Sequence, residues 1–235
     1  MYKVVEGRWG PCKILLKDEY VGRSVFYYGE YNPSETEMIL GLAKGICLDI
    51  GANIGCISQA LAFSGHTVIA FEPQPEIFAL LDENTRGYHT PVKTYNCAVG
   101  SSAGVATMPK VHYSSKGNFG GLGIGDKSIY GNIEVPVITI DSLGIDCGFM
   151  KIDVEGYEIE VLRGAMETIL RCRPVLYIED DRPNNSQTLR SLIKSLDYTI
   201  EEHKPPLFSQ PNFFGLGKNV WNKNYASHNI ICRPC

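Results

Sequence analysis

The chain has 235 residues, 44% of them apolar and 20% charged, proportions that suit one well-buried core and exclude a disordered or low-complexity protein. Its net charge of −4 carries no excess of Lys and Arg, which argues against nucleic acid or an anionic membrane surface as a partner. The first residues lack the apolar run of a signal peptide and no stretch is long enough to span a bilayer, so a cytoplasmic protein with no membrane span is expected.

In chain order, residues 1–31 alternate apolar and polar positions at 13–16 and 24–28, around Gly22. They predict one or two β-hairpins as an N-terminal extension, with residues 32–235 as the main domain. Asn32, Pro33 and Ser34 open a helix whose apolar face is Met38, Ile39 and Leu42. Residues 46–55 read as strand, tight turn and helix, because an apolar run ends in an acid and two close glycines before Ile54, Ile57 and Leu61. Strands follow at 67–71 and 92–99, with a helix between them opening at Pro75.

Residues 101–130 are rich in Gly and Ser and predict either a lid over a site or a surface loop. A strand over 134–140 leads to a cap at Asp141, and a buried strand over 149–153 leads to a helix with Val161, Leu162, Ala165, Met166, Ile169 and Leu170 inside. A strand at 174–179, a helix at 187–196, a strand at 198–202, an aromatic-rich loop and a last strand at 227–232 complete the chain. Strands alternating with helices predict an α/β, doubly wound, mostly parallel sheet with helices on both faces.

Of the eight cysteines, Cys47, Cys56 and Cys97 fall inside apolar patterns and read as reduced core thiols. Cys232 and Cys235 form one CxxC, two ligands short of a zinc site. The five histidines show no metal-binding spacing and read by default as surface or loop residues, with His228 beside the last strand. Phe208, Phe213, Phe214 and Trp221 can stack on a sugar or plug the edge of the core, and the second reading is preferred.

Ligands of such sheets bind beyond the carboxyl ends of the strands. Asp49, Glu72, Asn96, Asp153 and Glu179 each end a strand at that edge, which favours a site over five unrelated helix caps. Glu72 lies 21 positions after Gly51, the spacing of an acid that hydrogen-bonds a ribose diol, so a cofactor containing adenosine is expected. A dinucleotide fingerprint would also place glycines at Asn53 and Cys56. A side chain at Asn53 disfavours a pyrophosphate but not an amino-acid-bearing nucleoside, whose ammonium suits Asp49.

Leu48-Asp-Ile-Gly-Ala-Asn-Ile-Gly55, Phe71-Glu-Pro-Gln-Pro75, Val135-Pro-Val-Ile-Thr-Ile-Asp-Ser-Leu143 and Met150-Lys-Ile-Asp-Val-Glu-Gly-Tyr-Glu158 together resemble the FkbM family of S-adenosylmethionine-dependent methyltransferases. The resemblance covers roughly residues 31–234. It implies a class I (Rossmann-like) methyltransferase fold and methyl transfer to a hydroxyl of a sugar, polyketide or similar metabolite. It also implies that Asp49, Gly51, Asn53 and Gly55 hold the methionine part, Glu72 the ribose, and Asn96 with Ala98 the adenine. Asp153 and Glu155 would be the active-site acids.

An aliphatic hydroxyl must lose its proton as the new bond forms, to a carboxylate base or with help from a divalent cation. Glu155 is the first candidate base, and Glu179, followed by Asp180 and Asp181, is its rival as base or metal ligand. A helix dipole at 153–155 is expected to stabilise the charged carboxylates and lower their basicity. The rival readings are a nucleoside-binding module without catalysis, an NAD-dependent oxidoreductase, and an RNA methyltransferase. Acceptor identity, metal requirement and oligomeric state stay open at this level.

Overall fold

The computed structural model describes residues 1–221 and 223–235. Strands β1 (Tyr2–Gly7) and β2 (Gly10–Leu15) form an antiparallel hairpin. The second alternating run is not β: it lies in helix α1 (Val21–Tyr28). Its β-branched and aromatic residues favour a strand locally, but Val21, Ser24, Val25 and Tyr28 are buried at helical spacing, so tertiary packing overrides propensity. The Tyr28 hydroxyl donates to the Lys218 carbonyl and accepts from the Val220 N–H. Helix α2 (Pro33–Leu42) follows, with Asn32 Oδ1 accepting from the Glu35 N–H.

The central domain then runs β3 (Cys47–Ile50), α3 (Cys56–Phe63), β4 (Val68–Phe71), α4 (Pro75–Asn84) and β5 (Val92–Tyr95). Next come β6 (Ala98–Val99), β7 (Gly104–Pro109), β8 (Asn132–Ile138), a 3-10 turn at Asp141–Leu143 and β9 (Phe149–Ile152). Helices α5 (Glu158–Arg163) and α6 (Met166–Cys172), β10 (Val175–Glu179), α7 (Pro183–Ser195), β11 (Tyr198–His203) and β12 (Asn229–Pro234) complete it.

Seven strands form the main sheet in the order β11-β12-β10-β9-β3-β4-β5, and β12 alone runs against the rest. The chain builds outward from β3 to β5 and returns to the other side of β3 with β9. The switch point therefore lies between β3 and β9, where their carboxyl-end turns diverge and leave a crevice. Apolar side chains of the inner strands alternate between two cores. Leu48, Ile50, Met150 and Ile152 pack with α5, α6 and α7, while Cys47, Phe149, Val175 and Tyr177 pack with α2 and α3.

Three expectations change in detail. The run 92–99 is broken because the Asn96 amide turns back to donate to the carbonyls of Glu72 (2.9 Å) and Pro73 (3.1 Å); β6 then joins β8 and β7 in a second sheet. The glycine-rich stretch 101–130 is not wholly irregular, since it contains β7. The helix over 161–170 is split into α5 and α6 at Gly164, where a Cβ would stand 1.9 Å from the Gly100 carbonyl oxygen. Asp141 caps the second piece, accepting from the N–H groups of Glu167 and Thr168. All eight cysteines are free thiols, and no helix among the described residues is long and apolar enough to cross a membrane.

Candidate active site

A cavity of about 480 Å³ opens at the carboxyl edge of β3, β4, β9 and β10. Its floor is the turn after β3. Gly51 has φ +78°, and a Cβ there would stand 1.8 Å from the Asp153 carbonyl oxygen, so the turns after β3 and β9 meet backbone to backbone. Gly51→Ala is expected to cost about 3 kcal/mol or more and to leave little folded protein, read by thermal unfolding of the soluble fraction. A wild-type melting temperature would contradict this packing.

Asn53, also left-handed at φ +51°, donates its N–H to Glu72 Oε2 (3.0 Å), while Glu72 Oε1 accepts from the Gln74 N–H (2.9 Å). Each carboxylate oxygen keeps one acceptor position, and Glu72 faces the cavity. Beside it, Phe71, Cys97, Ala98, Val99, Leu122 and Ile124 make an apolar slot.

The glycine-rich segment forms a wall of this cavity through Asn118, Gly120, Gly121, Leu122 and Ile124. Gln74 Nε2 ties it down at the Phe119 carbonyl (2.9 Å). A Cβ at Gly120 would stand 2.5 Å from Asn53 Nδ2, and one at Gly123 would stand 2.5 Å from the Glu155 carbonyl oxygen, so the glycines permit close approach to both turns.

Across from Glu72, carboxylate oxygens of Asp153, Glu155 and Glu179 lie within 4.8 Å of one another. Glu155 (φ +56°) and Gly156 (φ +101°) bend the chain so that Glu155 faces the cavity. Arg182 donates to Glu155 Oε2, and its Nε lies 3.2 Å from Asp181. Contrary to the helix-dipole expectation, burial and then the charge of Asp153 push Glu155 up to about 7, despite Arg182. The following helix α5 has only six residues, and desolvation outweighs it. Burial and the neighbouring acids also hold Glu179 well above the usual carboxylate range, and its Oε2 is buried without a hydrogen-bond partner.

Three of the residues singled out from the sequence stand behind the wall rather than in it. Asp49 is fully buried; Ser58 donates to its Oδ2 (2.6 Å), and its Oδ1 has no hydrogen-bond partner. Gly55 starts α3 against Leu81, and Asn96 is engaged with backbone. Gly51, Asn53, Glu72 and Ala98 line the cavity, as do Asp153, Glu155, Glu179 and His228. Phe208, Phe213, Phe214 and Trp221 do not line it; Phe208 and Trp221 pack on Tyr28.

Two buried charged residues of the wall escaped the sequence reading. Lys151, a lone charge in an otherwise apolar strand, is buried with Nζ donating to the Gly51 carbonyl (2.9 Å), 3.2 Å from Asp153 and 3.5 Å from Asp49. Burial lowers its pKa, but Asp153, Asp49 and Glu35 outweigh that and raise it. Glu35 is a buried acid on the inner face of α2, pushed up to about 7 by burial and then by Asp153. The interruption of an apolar strand at Lys151 was an available signal, whereas Glu35 sits in a polar first helical turn that gave none.

Glu35, Glu72 and Glu155 all rise from 4.5 to about 7, burial being the first cause in each. Between those values the folded chain keeps protons that the unfolded chain has released. Their stabilisation is full below pH 4.5 and is lost as pH rises through about 7. Glu179, raised by burial and the neighbouring acids, adds to the same trend, while His203, lowered by burial, works the other way. Calorimetry of the ligand-free protein is expected to show melting roughly 5 °C higher at about pH 5.5 than at about pH 8. A melting temperature that climbs with pH over that window would contradict the buried-acid assignment.

Residues 49–203 match the family described as the methyltransferase FkbM domain. The chain is 26% identical to 31-O-demethyl-FK506 methyltransferase FkbM of Streptomyces tacrolimicus, over 85% of this chain and 86% of that one. It is 31% identical to hexuronic acid methyltransferase AglP of Haloferax volcanii over 125 residues, which span 49% of this chain and about half (48%) of that relative. The crystal structure of methyltransferase FkbM from Methylobacillus flagellatus KT superposes with a TM-score of 0.54 at 19% identity, covering 88% of this chain and 50% of that one. Magnesium protoporphyrin IX methyltransferase (ChlM) from Synechocystis, solved with S-adenosylmethionine bound, superposes at 0.50 with 10% identity over 86% of this chain and 77% of that one. These neighbours share a class I methyltransferase fold with this chain.

Proposed function

The chain belongs to the methyltransferase FkbM domain family, and from that premise we propose that it is an S-adenosylmethionine-dependent O-methyltransferase acting on a hydroxyl of a sugar, glycoconjugate or related metabolite. The observation that carries this reading is one cavity lined by Glu72 and a set of apolar residues and also by the close carboxylates of Asp153, Glu155 and Glu179. The relatives' names, one specifying a hexuronic acid and the other an O-demethyl compound, support oxygen and sugar acceptors.

The residues present fit the cofactor. Glu72 has two free acceptor positions for a ribose diol, Ala98 and its apolar neighbours suit an adenine, and the turn at Gly51 and Asn53 has no room for extra side-chain bulk where the methionine part would lie. When bound, S-adenosylmethionine supplies a methyl group already activated by its sulfonium. Asp49, Gly55 and Asn96 support that half from behind: Asp49 beside Lys151, Gly55 at the start of α3, and Asn96 by fixing the Glu72–Pro73 backbone.

On the other half, Glu155 accepts the acceptor's hydroxyl proton at the oxygen not taken by Arg182. A base titrating near 7 is ionised often enough at neutral pH and basic enough to help. Glu179, held well above the usual carboxylate range by burial and the neighbouring acids, lines the cavity beside Glu155, and Asp153 stays paired with Lys151. A second reading rests on the closeness of the three carboxylates, which also suits a divalent cation that lowers the hydroxyl's pKa. Turnover unchanged after exhaustive chelation removes that second reading.

The test is incubation of the protein with methyl-labelled S-adenosylmethionine and a panel of methyl hexosides and glycoconjugates, with products analysed by NMR. The expected product carries the label as an O-methyl ether. Cofactor binding with no transfer to any oxygen would move the non-catalytic nucleoside-binding module ahead.

A further inference from the structure

Part of the cavity wall comes from outside the span matched by the family. Tyr20, Tyr31 and Glu35 enter from the N-terminal side, and Tyr225, Ser227 and His228 enter just before β12. The Tyr20 and Tyr225 rings meet edge to face with centroids 5.7 Å apart, and the Glu35 carboxyl accepts from Asn32 Nδ2 at 2.5 Å. Aromatic rings with polar groups beside them suit the apolar face and hydroxyl rim of a sugar ring.

The charges on the wall are one-sided. Six carboxyl groups line the cavity, those of Glu35, Glu72, Asp153, Glu155, Glu179 and Asp181, against the cations Lys151 and Arg182 and the imidazole of His228. Both cations are already matched. Lys151 Nζ is held by the Gly51 carbonyl and Asp153 with Asp49 alongside, while Arg182 lies between Glu155 and Asp181. Among the described residues no lysine or arginine of the wall is left for an anionic acceptor. Such a group would meet like charges in a partly desolvated site, where juxtaposition costs several kcal/mol in general.

Resting on the O-methyltransferase reading, we infer that the acceptor is an uncharged or cationic polyol, a neutral or amino sugar, and that the acidic wall excludes uronic acids and phosphorylated sugars. Specificity by repulsion needs no contact with the accepted ligand, only carboxylates that the rejected one cannot neutralise. Family membership does not carry the charge of the acceptor, although one relative is named for a hexuronic acid.

The experiment is calorimetric titration of the full chain saturated with S-adenosylhomocysteine. It is run at about pH 8, where acids titrating near 7 are ionised. The ligands are methyl hexosides with their uronic acid, 6-phosphate and 2-amino counterparts. At least one neutral or amino glycoside is expected to bind, with its uronate and phosphate weaker by about tenfold or more. Glu35→Gln, its fold checked by its own S-adenosylhomocysteine binding, is expected to shrink that gap several-fold and to weaken the amino glycoside.

A uronate or phosphate binding as tightly as its neutral partner overturns the inference. So does the absence of binding by every neutral and amino glycoside on protein that binds S-adenosylhomocysteine. Loss of S-adenosylhomocysteine binding itself would instead strike the cofactor reading on which the inference stands.

Discussion

Glu72→Ala is expected to weaken S-adenosylhomocysteine binding by about 100-fold or more, because two hydrogen bonds from ribose hydroxyls to a carboxylate in a dry wall would be lost together. The substitution also strips the acceptor from the N–H groups of Asn53 and Gln74, which shape the floor on which the ligand would rest. Glu72→Gln separates the two effects. It keeps one oxygen for the backbone while removing the charge, and should lose affinity by a smaller factor with a near wild-type melting temperature. Affinity unchanged in the alanine variant, with the protein folded, would show that the nucleoside lies elsewhere.

Glu155→Gln should lower kcat by about 10² to 10⁴-fold while leaving S-adenosylhomocysteine affinity within a few fold, the separation expected of a base that acts only on the acceptor. The pH profile gives the sharper readout. A base must be ionised, so the wild-type rate should climb as pH rises through about 7, and that acid limb should disappear in the variant. If the limb survives in Glu155→Gln and vanishes in Glu179→Gln, the base is Glu179 and the assignment is reversed. Retained turnover in both variants would remove the carboxylate-base mechanism.

The central βαβ units were legible because each rule applied locally. Cys47–Ile50 and Val68–Phe71 are buried apolar runs ended by a turn, and the strand-end acids Glu72, Asp153 and Glu179 do converge on one cavity. Misreadings came where distant packing decided the outcome. Residues 24–28 alternate like a strand, yet Tyr28 is drawn into a helix by partners at Lys218 and Val220, some 190 positions away. The break near Asn96 and the division at Gly164 depend on backbone brought close by the fold, and no local period encodes such contacts.

The site divided in the same way. Asp49 carries the charge that an ammonium group would need, but the sheet buries it completely, and Lys151 from the next strand lies between it and Asp153. Helix-dipole reasoning put the basicity of Glu155 too low because it left out burial, the largest cause, and then the charge of Asp153. Lys151 broke an apolar strand and could have been flagged on that ground alone, while Glu35, in the polar first turn of α2, carried no local signal of its burial.

The most direct measurement is calorimetric titration of the wild-type protein with S-adenosylhomocysteine, with NADH as the control ligand. The expected result is saturable binding at one site per chain, with no heat from NADH and no competition by it. A folded protein that ignores S-adenosylhomocysteine with or without an acceptor present, or that binds NADH in its place, would contradict the proposed cofactor and with it the assignment of the cavity.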